Sequence, residues 1–238
     1  MNVQIIGNGN ITSNNFNACF IVNNNVLVDT PPGTLKELKK LNKDLDDINI
    51  ILITHLHGDH FFDLPFIILH EYKRRRSKEL FIIGPKNLKK ELGKLIKLAF
   101  KSILYKYLAE LKITFIDAES IQNHEINEGL YLTSIQVTHG DLKNCYGYLF
   151  QKDEKALGIT GDIKMCPGLT YMLKKVNYVV IDVAEDGRDN HLNLSELKAL
   201  SKEYNVNYVP IHFPDEIAEE LAKIKNVKII NPEEQFYV

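Results

Sequence analysis

The chain has 238 residues, of which 45% are hydrophobic and 25% charged, and its formal net charge is -2. This composition excludes a disordered or collagen-like protein and suits one large domain, which we expect to span residues 1–238. No apolar run approaches the ~18 residues of a membrane helix, and the N-terminus lacks a basic stretch followed by an apolar one. A cytoplasmic location is therefore the expectation.

The first quarter of the chain predicts a β-rich opening. β-branched residues between Asn and Gly turns predict strands at 3–6, 19–22 and 26–28. Leucines at helical spacing then predict a helix over 34–41. The apolar run at 48–53 predicts a buried strand, and the residues after it lie at a strand's C-terminal end, where active-site loops commonly occur.

The rest of the chain mixes both kinds of element. The patterns predict helices over 88–108 and 194–204, and strands at 80–83, 113–116, 130–137, 146–150, 156–159, 178–181 and 208–211. Strands and helices in both halves favour an α+β protein with two sheets packed face to face and helices outside. The three cysteines, Cys19, Cys145 and Cys166, are widely spaced and predict neither disulfides nor a thiolate zinc site.

The strongest signal for function is the segment Thr54-His55-Leu56-His57-Gly58-Asp59-His60, directly after the predicted buried strand. His55 and His57 can face one way from an extended segment, and Gly58 allows a sharp turn that redirects Asp59 and His60. Imidazole and carboxylate ligands suit a borderline divalent metal. A chance polar loop is the alternative, but three of only eight histidines fall within the six residues 55–60.

The pattern His-x-His-x-Asp-His resembles the signature of the metallo-β-lactamase superfamily, and this resemblance implies an αββα four-layer sandwich. It also implies three further ligands at strand ends, for which His139, Asp162 and His212 are the candidates. Carried over to this chain, the resemblance assigns His55, His57 and His139 to one ion. Asp59, His60 and His212 would bind the other, and Asp162 would bridge the two.

Within the superfamily, the segment from His55 to Pro65 resembles the branch that contains ribonuclease Z and the cyclic phosphodiesterases of phosphonate metabolism. His191 matches a histidine that lies near the leaving group there; the less favoured alternative is a neighbour of a helix N-cap. The segment Asp182-Val183-Ala184-Glu185 stands where ribonuclease Z has His-Glu-Ala-Thr. The cyclic phosphodiesterases carry an Asp at this point, as this chain does with Asp182. Those phosphodiesterases often bind a cysteine-ligated structural metal, for which this chain lacks the cysteines.

The spacing of the later motifs bears on the substrate. Only 22 residues separate His139 from Asp162, which is too few for the long tRNA-gripping arm that ribonuclease Z commonly carries there.

Oxygen-reducing diiron relatives usually have Glu where His57 stands, which disfavours redox chemistry.

The resemblance therefore implies a dinuclear metal-dependent hydrolase, with a phosphodiesterase favoured. A hydroxide held by two divalent ions would attack a nucleotide, cyclic nucleotide or RNA, with Asp59, His191 and Asp182 as catalytic residues. Zn²⁺ is the first expectation for the ions, and the ligands also suit Mn²⁺, Fe²⁺ or Ni²⁺. Two alternatives stay open: a hydrolase of carboxylic esters, thioesters or lactones, and a nucleic-acid-binding protein with a residual metal site.

The charge is unevenly distributed. Residues 71–112 contain 13 Lys and Arg against 4 Glu, a local charge of +9 that leaves -11 for the remainder. Such a segment can steer an anionic small molecule or a nucleic acid, but it could also be the solvated face of a long helix. No membrane partner is expected, and the sequence is compatible with a homodimer.

Overall fold

The computed structural model of the chain describes residues 1–101, 108–188 and 190–238. Its strands form two sheets. The first has the order β13-β1-β2-β3-β4-β5-β6 and the second the order β12-β11-β10-β9-β8-β7. The strands are β1 (Asn2–Gly7), β2 (Cys19–Val22), β3 (Val26–Val28), β4 (Ile50–Leu52), β5 (Leu80–Gly84), β6 (Ile113–Asp117), β7 (His124–Asn127), β8 (Leu130–His139), β9 (Leu142–Lys152), β10 (Lys155–Ile159), β11 (Tyr178–Asp182), β12 (Asn207–Ile211) and β13 (Gln235–Tyr237).

Helices cover the outer faces of both sheets. In chain order, the α-helices are α1 (Thr34–Lys40), α2 (Gly58–Phe61), α3 (Leu64–Lys73), α4 (Leu88–Phe100), α5 (Pro167–Leu173), α6 (Leu194–Glu203) and α7 (Ala218–Leu221). Leu38 of α1, Ile67 of α3 and Leu92 of α4 pack in one apolar cluster with the first sheet. Met172 and Leu197 pack with the second sheet. These layers confirm the predicted α+β class and αββα sandwich.

The two faces of each strand supply different layers of the core. In β2, Phe20 faces the space between the sheets, whereas Ile21 faces the helices on the outside. Successive side chains of a strand point to opposite faces, so a strand buried on both faces must be apolar at every position. This requirement explains why the central strands β2, β3 and β4 are short uninterrupted apolar runs.

Parallel strands bring the ends of both sheets to one edge of the molecule. β3, β4, β5 and β6 pair in parallel in the first sheet, and β10, β11 and β12 pair in parallel in the second. β8 runs in the same direction as β10, because β9 is antiparallel to both. Residues that follow β3, β4, β8, β10, β11 and β12 therefore meet at this edge, the usual site for ligands in such sheets.

The predicted helix over 88–108 is wrong in its extent. α4 ends at Phe100, where Lys101 takes a positive φ of 57° that leaves the helical path; residues 102–107 lie outside the described part of the chain. The predicted buried strand at 48–53 is shorter, at Ile50–Leu52. The sequence patterns also did not predict helix α3, strand β7 or strand β13.

Part of the basic segment has a structural role. Arg76 is buried, and its guanidinium donates to Glu71 Oε2 at 2.9 Å and to the carbonyl oxygens of Leu45 and Ile48 at 2.8 Å each. These bonds tie the end of α3 to the segment that leads into β4. Arg74 is engaged as well, because it pairs with carboxylates of Asp44, Asp46 and Glu71. The run from Lys73 to Arg76 is thus not a set of four free cations.

The remaining sequence expectations concern cysteines and membranes. All three cysteines are free; Cys19 and Cys145 are buried and Cys166 is half-buried. Within residues 1–101, 108–188 and 190–238, no helix combines the length and apolar character needed to cross a bilayer.

Loss of the Glu71–Arg76 ion pair is expected to destabilise the fold. Replacing Glu71 with Gln leaves the buried guanidinium without its counter-charge, so we expect the free energy of unfolding to fall by about 3–5 kcal/mol. Urea denaturation followed by circular dichroism measures the change. The matched control is Arg75→Gln at the exposed neighbouring position, expected to stay within about 0.5 kcal/mol of wild type. Equal losses in both variants would contradict this account.

Candidate metal centre

The histidine motif begins where β4 ends and turns directly into α2. His57 is extended, with φ -69° and ψ 148°, and Gly58 is the first residue of the helix. A Cβ at Gly58 would lie 2.7 Å from the ring of Phe62. Glycine leaves room for this aromatic ring, which lies against the turn that separates the two halves of the motif.

A second close contact joins the two sheets beside this motif. Gly161 has a φ of 60°, and a Cβ on it would lie 2.7 Å from the Cβ of Thr54. The Tyr146 amide donates to the carbonyl oxygen of Thr54 at 3.0 Å, and Tyr148 Oη donates to that of Ile53 at 2.8 Å. These contacts bring Asp162 of the second sheet next to His55 of the first.

One group of potential ligands consists of His55, His57, His139 and Asp162, whose ligand atoms all lie within 4.8 Å of one another. His57 Nδ1 and His139 Nε2 are 3.3 Å apart. Asp162 Oδ2 lies 3.8 Å from His55 Nε2 and 3.7 Å from His139 Nε2. Three imidazoles and one carboxylate oxygen therefore surround a common point.

A second group consists of Asp59, His60 and His212, and the other oxygen of Asp162 faces it. Asp162 Oδ1 lies 3.2 Å from His60 Nε2 and 3.6 Å from His212 Nδ1. Asp59 Oδ2 lies 3.4 Å from His212 Nε2. The two groups thus share one carboxylate, with one oxygen toward each.

The chemistry of these atoms fits divalent cations. Among the described residues, the following buried atoms of the centre have no hydrogen-bond partner: His55 Nε2, His60 Nε2, His212 Nδ1, Asp162 Oδ1 and Asp182 Oδ1. Buried polar atoms are normally satisfied, and a cluster of unsatisfied ones needs an explanation. Imidazole nitrogens and carboxylate oxygens directed at common points are what a borderline divalent metal requires.

Asp29 holds the motif in place and was missed by the sequence analysis. It follows β3 with a φ of 58°, and its carboxylate accepts hydrogen bonds from the amide and hydroxyl of Thr54, both at 2.8 Å. Asp29 Oδ2 lies 2.8 Å from His60 Nδ1, which leaves Nε2 of that ring directed at the ligand group. Its position directly after a buried apolar strand was the signal that could have identified it.

Two other rings are oriented in the same manner. His139 Nδ1 lies 2.9 Å from the carbonyl oxygen of Asn190, and His55 Nδ1 lies 3.1 Å from Thr54 Oγ1. In each ring, Nε2 is left free to face the centre. Asn190 takes part in this contact only through its backbone carbonyl, so the residue type at position 190 could not have predicted it.

The residues Asp182 and His191 lie beside the second group. Asp182 is fully buried at the end of β11, and its Oδ2 is 2.8 Å from His191 Nδ1. Its Oδ1 is 3.3 Å from His212 Nδ1. The carboxylate thus contacts both histidines, while the His191 side chain keeps 22% of its surface exposed.

The pKa values of the residues at the centre show how strongly its buried carboxylates favour positive charge nearby. Burial lowers the pKa of His212, but Asp162, Asp182 and Asp59 outweigh it and raise that pKa to about 10. Burial likewise opposes ionisation of Asp162, yet His212 and His60 hold its pKa well below the ordinary value. For His55, burial dominates and the pKa lies well below its usual range. Metal cations would supply the positive charge that the carboxylates demand.

All nine residues singled out from the sequence meet at this edge of the two sheets. Besides the two groups described above, Asp162, Asp182, His191 and His212 form a third set whose ligand atoms lie within 4.8 Å of one another. The most exposed ligand is His57, whereas His55, His60 and His139 are buried. The open side of the centre is therefore the side of His57.

Comparisons with known proteins agree with this arrangement. The sequence model of the family described as "Anti-Pycsar protein Apyc1" matches residues 1–236. Ribonuclease Z of Agathobacter rectalis is 32% identical over 124 residues, which are 52% of this chain and 38% of that protein. The chain thus spans well under half the length of this curated relative.

Solved structures are similar over the whole chain. The short form of human tRNase Z superposes with a TM-score of 0.75 at 18% identity, covering 100% of this chain and 99% of that one. The metallo-β-lactamase-fold protein YhfI from Bacillus subtilis superposes with a TM-score of 0.77 at 16% identity, covering 99% and 98%. At these identities the likeness shows the fold, and it confirms the metallo-β-lactamase fold that the sequence resemblance implied.

The role of Asp29 is testable by metal binding. Asp29→Asn keeps the volume but removes the charge that orients His60, so we expect zinc affinity to fall roughly 10- to 100-fold. Competition with a chromophoric chelator measures the affinity, and circular dichroism verifies that the fold is intact. Asp44→Asn, at an exposed carboxylate, is the control and should bind zinc like wild type. An unchanged affinity in Asp29→Asn would refute the role.

Proposed function

The chain belongs to the family of the anti-Pycsar protein Apyc1, and we propose that it is a metal-dependent hydrolase that cleaves a phosphodiester bond of a nucleotide. One observation carries the proposal: two ligand groups share Asp162, and the His191–Asp182 pair lies directly beside them. The curated relatives named ribonuclease Z support a phosphodiester substrate.

We assign two divalent ions to the centre, with zinc as the first choice for a ligand set rich in imidazole. His55, His57 and His139 would hold one ion and Asp59, His60 and His212 the other, with Asp162 between them. When bound, such a pair supplies a water acidified to near neutrality and positive charge against the phosphoryl oxygens.

His191 is proposed to give a proton to the departing alcohol oxygen. Its Nδ1 is engaged with Asp182 at 2.8 Å, so Nε2 is the nitrogen that can serve the substrate. Asp182 would fix the orientation of the ring, because its carboxylate is itself held in place. The carboxylate also accepts a hydrogen bond from the backbone amide of Ile163 at 2.9 Å. The partly exposed carboxylate of Asp59 borders the open side and is proposed to orient the attacking water.

A small substrate, such as a cyclic nucleotide, is favoured over precursor tRNA. Strands β9 and β10 and the turn between them occupy nearly the whole stretch from His139 to Asp162, so a tRNA-gripping arm is absent from this stretch, all of which the structure describes. The basic segment has fewer unpaired cations for binding a nucleic acid than its composition suggests, because Arg74 and Arg76 are held in ion pairs. Whether its exposed lysines attract RNA stays a prediction.

The substrate preference is the first test. With zinc or manganese added, we expect the protein to hydrolyse a 3′,5′-cyclic nucleotide, to lose activity in EDTA and to recover it when metal is restored. Chromatography of the products, with precursor tRNA and p-nitrophenyl acetate in parallel, measures the preference. Faster turnover of the ester would favour the carboxylic ester hydrolase, and metal binding without any turnover would favour a nucleic-acid-binding protein with a residual metal site.

The role of His191 is the second test. His191→Ala should lower kcat on the cyclic nucleotide by about 100-fold or more, the usual contribution of a general acid. Metal content, measured by mass spectrometry, should stay the same. The loss should shrink on a p-nitrophenyl phosphodiester, because that leaving group departs without a proton.

The control for this test is His124→Ala, at an exposed histidine of β7, which should leave kcat unchanged. Equal losses on both leaving groups would remove proton donation from the role of His191.

A further inference from the structure

The backbone of His212 is strained. Of the nine residues that meet at the centre, all of which the structure describes, His212 alone combines a side chain with a positive φ, at 56°. A residue with a Cβ keeps this left-handed conformation only where the surrounding structure enforces it. The strain matters for the centre, because the His212 ring lies 3.4 Å from Asp59 Oδ2 and 3.6 Å from Asp162 Oδ1. A relaxed backbone would point the ring elsewhere.

A loop from the first sheet reaches the residues that follow His212. β1 runs parallel to β3, because β2 is antiparallel to both. The loop that leaves β1, residues 8–18, therefore starts at the same edge as the metal centre. Gly9 of this loop pairs with Phe213 in a β-bridge. Since β12 lies at the edge of its sheet, the loop supplies a contact that a neighbouring strand supplies elsewhere.

Asp215 fastens this loop to the end of β12 with three hydrogen bonds. Ser13 Oγ donates to Asp215 Oδ1. The Asn14 amide donates to Asp215 Oδ2 at 3.0 Å, and Asn14 Nδ2 donates to the same oxygen at 2.6 Å. Hydrogen bonds to an ionised carboxylate are stronger than those to a neutral acceptor. We call these three bonds the Asp215 clasp.

The loop is held firmly enough to act as an anchor. Asn10 Oδ1 accepts a hydrogen bond from the Ser13 amide at 3.1 Å. Asn15 Nδ2 donates to Asn8 Oδ1 at 2.9 Å, and the buried Asn8 donates to the carbonyl oxygen of Ile230 at 3.0 Å. The asparagines of this segment thus fix the loop both within itself and to the C-terminal part of the chain.

We propose that Asp215 is a positioning residue of the metal centre, whose clasp on the loop holds His212 in the conformation that binds an ion. Asp215 acts through the backbone and is not itself a ligand. Without the clasp, only a fraction of the molecules would hold His212 in the competent conformation, and the apparent affinity for the ion would fall by that fraction. The inference rests on the two ions assigned under the proposed function.

Stepwise zinc binding tests this role. Zinc is titrated into metal-free protein against a chromophoric chelator, and His212→Ala identifies the step that depends on this ligand. Asp215→Ala should weaken the same step about 10-fold, as the loss of a group that orients a metal ligand usually does, and leave the other step within about twofold. Ser13→Ala, which removes one bond of the clasp, should weaken it by a smaller factor.

The double variant Ser13→Ala/Asp215→Ala should bind zinc like Asp215→Ala, because both changes remove the same contact. The matched control is Glu125→Ala. Glu125 also fastens a loop, since it accepts the Gly129 amide at 2.8 Å, but this turn precedes β8, whose opposite end carries His139. Both steps should be unchanged in this control. Urea denaturation of the metal-free proteins verifies that each variant is folded.

An unchanged His212-dependent step in Asp215→Ala would overturn the inference. Equal weakening of both steps would also overturn it, because a general loosening of the fold has that effect. If Asp215→Ala does not fold, Ser13→Ala decides by the same two criteria. Wild type that binds only one zinc ion would be a further contradiction.

Hydrolysis of a cyclic nucleotide by wild type is measured separately. Selective weakening of the His212-dependent step, without turnover by wild type, would sustain the role of Asp215 while the proposed function fails. Turnover by wild type with an unchanged step in Asp215→Ala would have the opposite meaning.

Discussion

The constraint on which the structure depends is the burial of one carboxylate, Asp162, between histidines from both halves of the fold. Its two oxygens face separate ligand groups, and burial alone would favour the neutral acid. A buried anion is tolerated only where positive charge is held around it. The histidine rings that surround it must therefore be fixed in place, and Asp29, Asn190 and Asp182 provide the fixing contacts.

The sandwich satisfies this constraint because its parallel strands end at one edge. Residues after β3, β4, β8, β10, β11 and β12 arrive there from apolar strands that cannot shift by one residue without turning core side chains to the wrong face. Gly161 allows the sheets to approach at Thr54, and Gly58 allows the motif to turn beneath Phe62. The residues of the metal centre thus lie on rigid elements of the fold.

The sequence predicted the central strands well and the helices less well. Strands buried on both faces leave a pattern that few other elements share, so segments such as Cys19–Val22 and Val26–Val28 were recognised at their observed bounds. Helix α3 was not predicted, because its buried apolar residues follow the histidine motif almost directly. The extent of α4 was overestimated, since amphipathic spacing continues beyond Lys101, where the backbone turns to a positive φ. Arg76 looked like one cation in a surface run, and only the packing of α3 showed it to be buried.

By itself, the sequence indicated the class of the fold and the metal-binding character of the segment from His55 to His60, because three histidines after an apolar run leave few alternatives. The other five residues that meet at the centre were singled out by the resemblance to the metallo-β-lactamase superfamily. The tertiary structure alone decided which atoms face each other. It gave Asp29 its contact with His60 and gave His191 its contact with Asp182. These contacts join residues up to 31 positions apart, and their geometry depends on strand pairing and sheet packing, which local patterns do not encode.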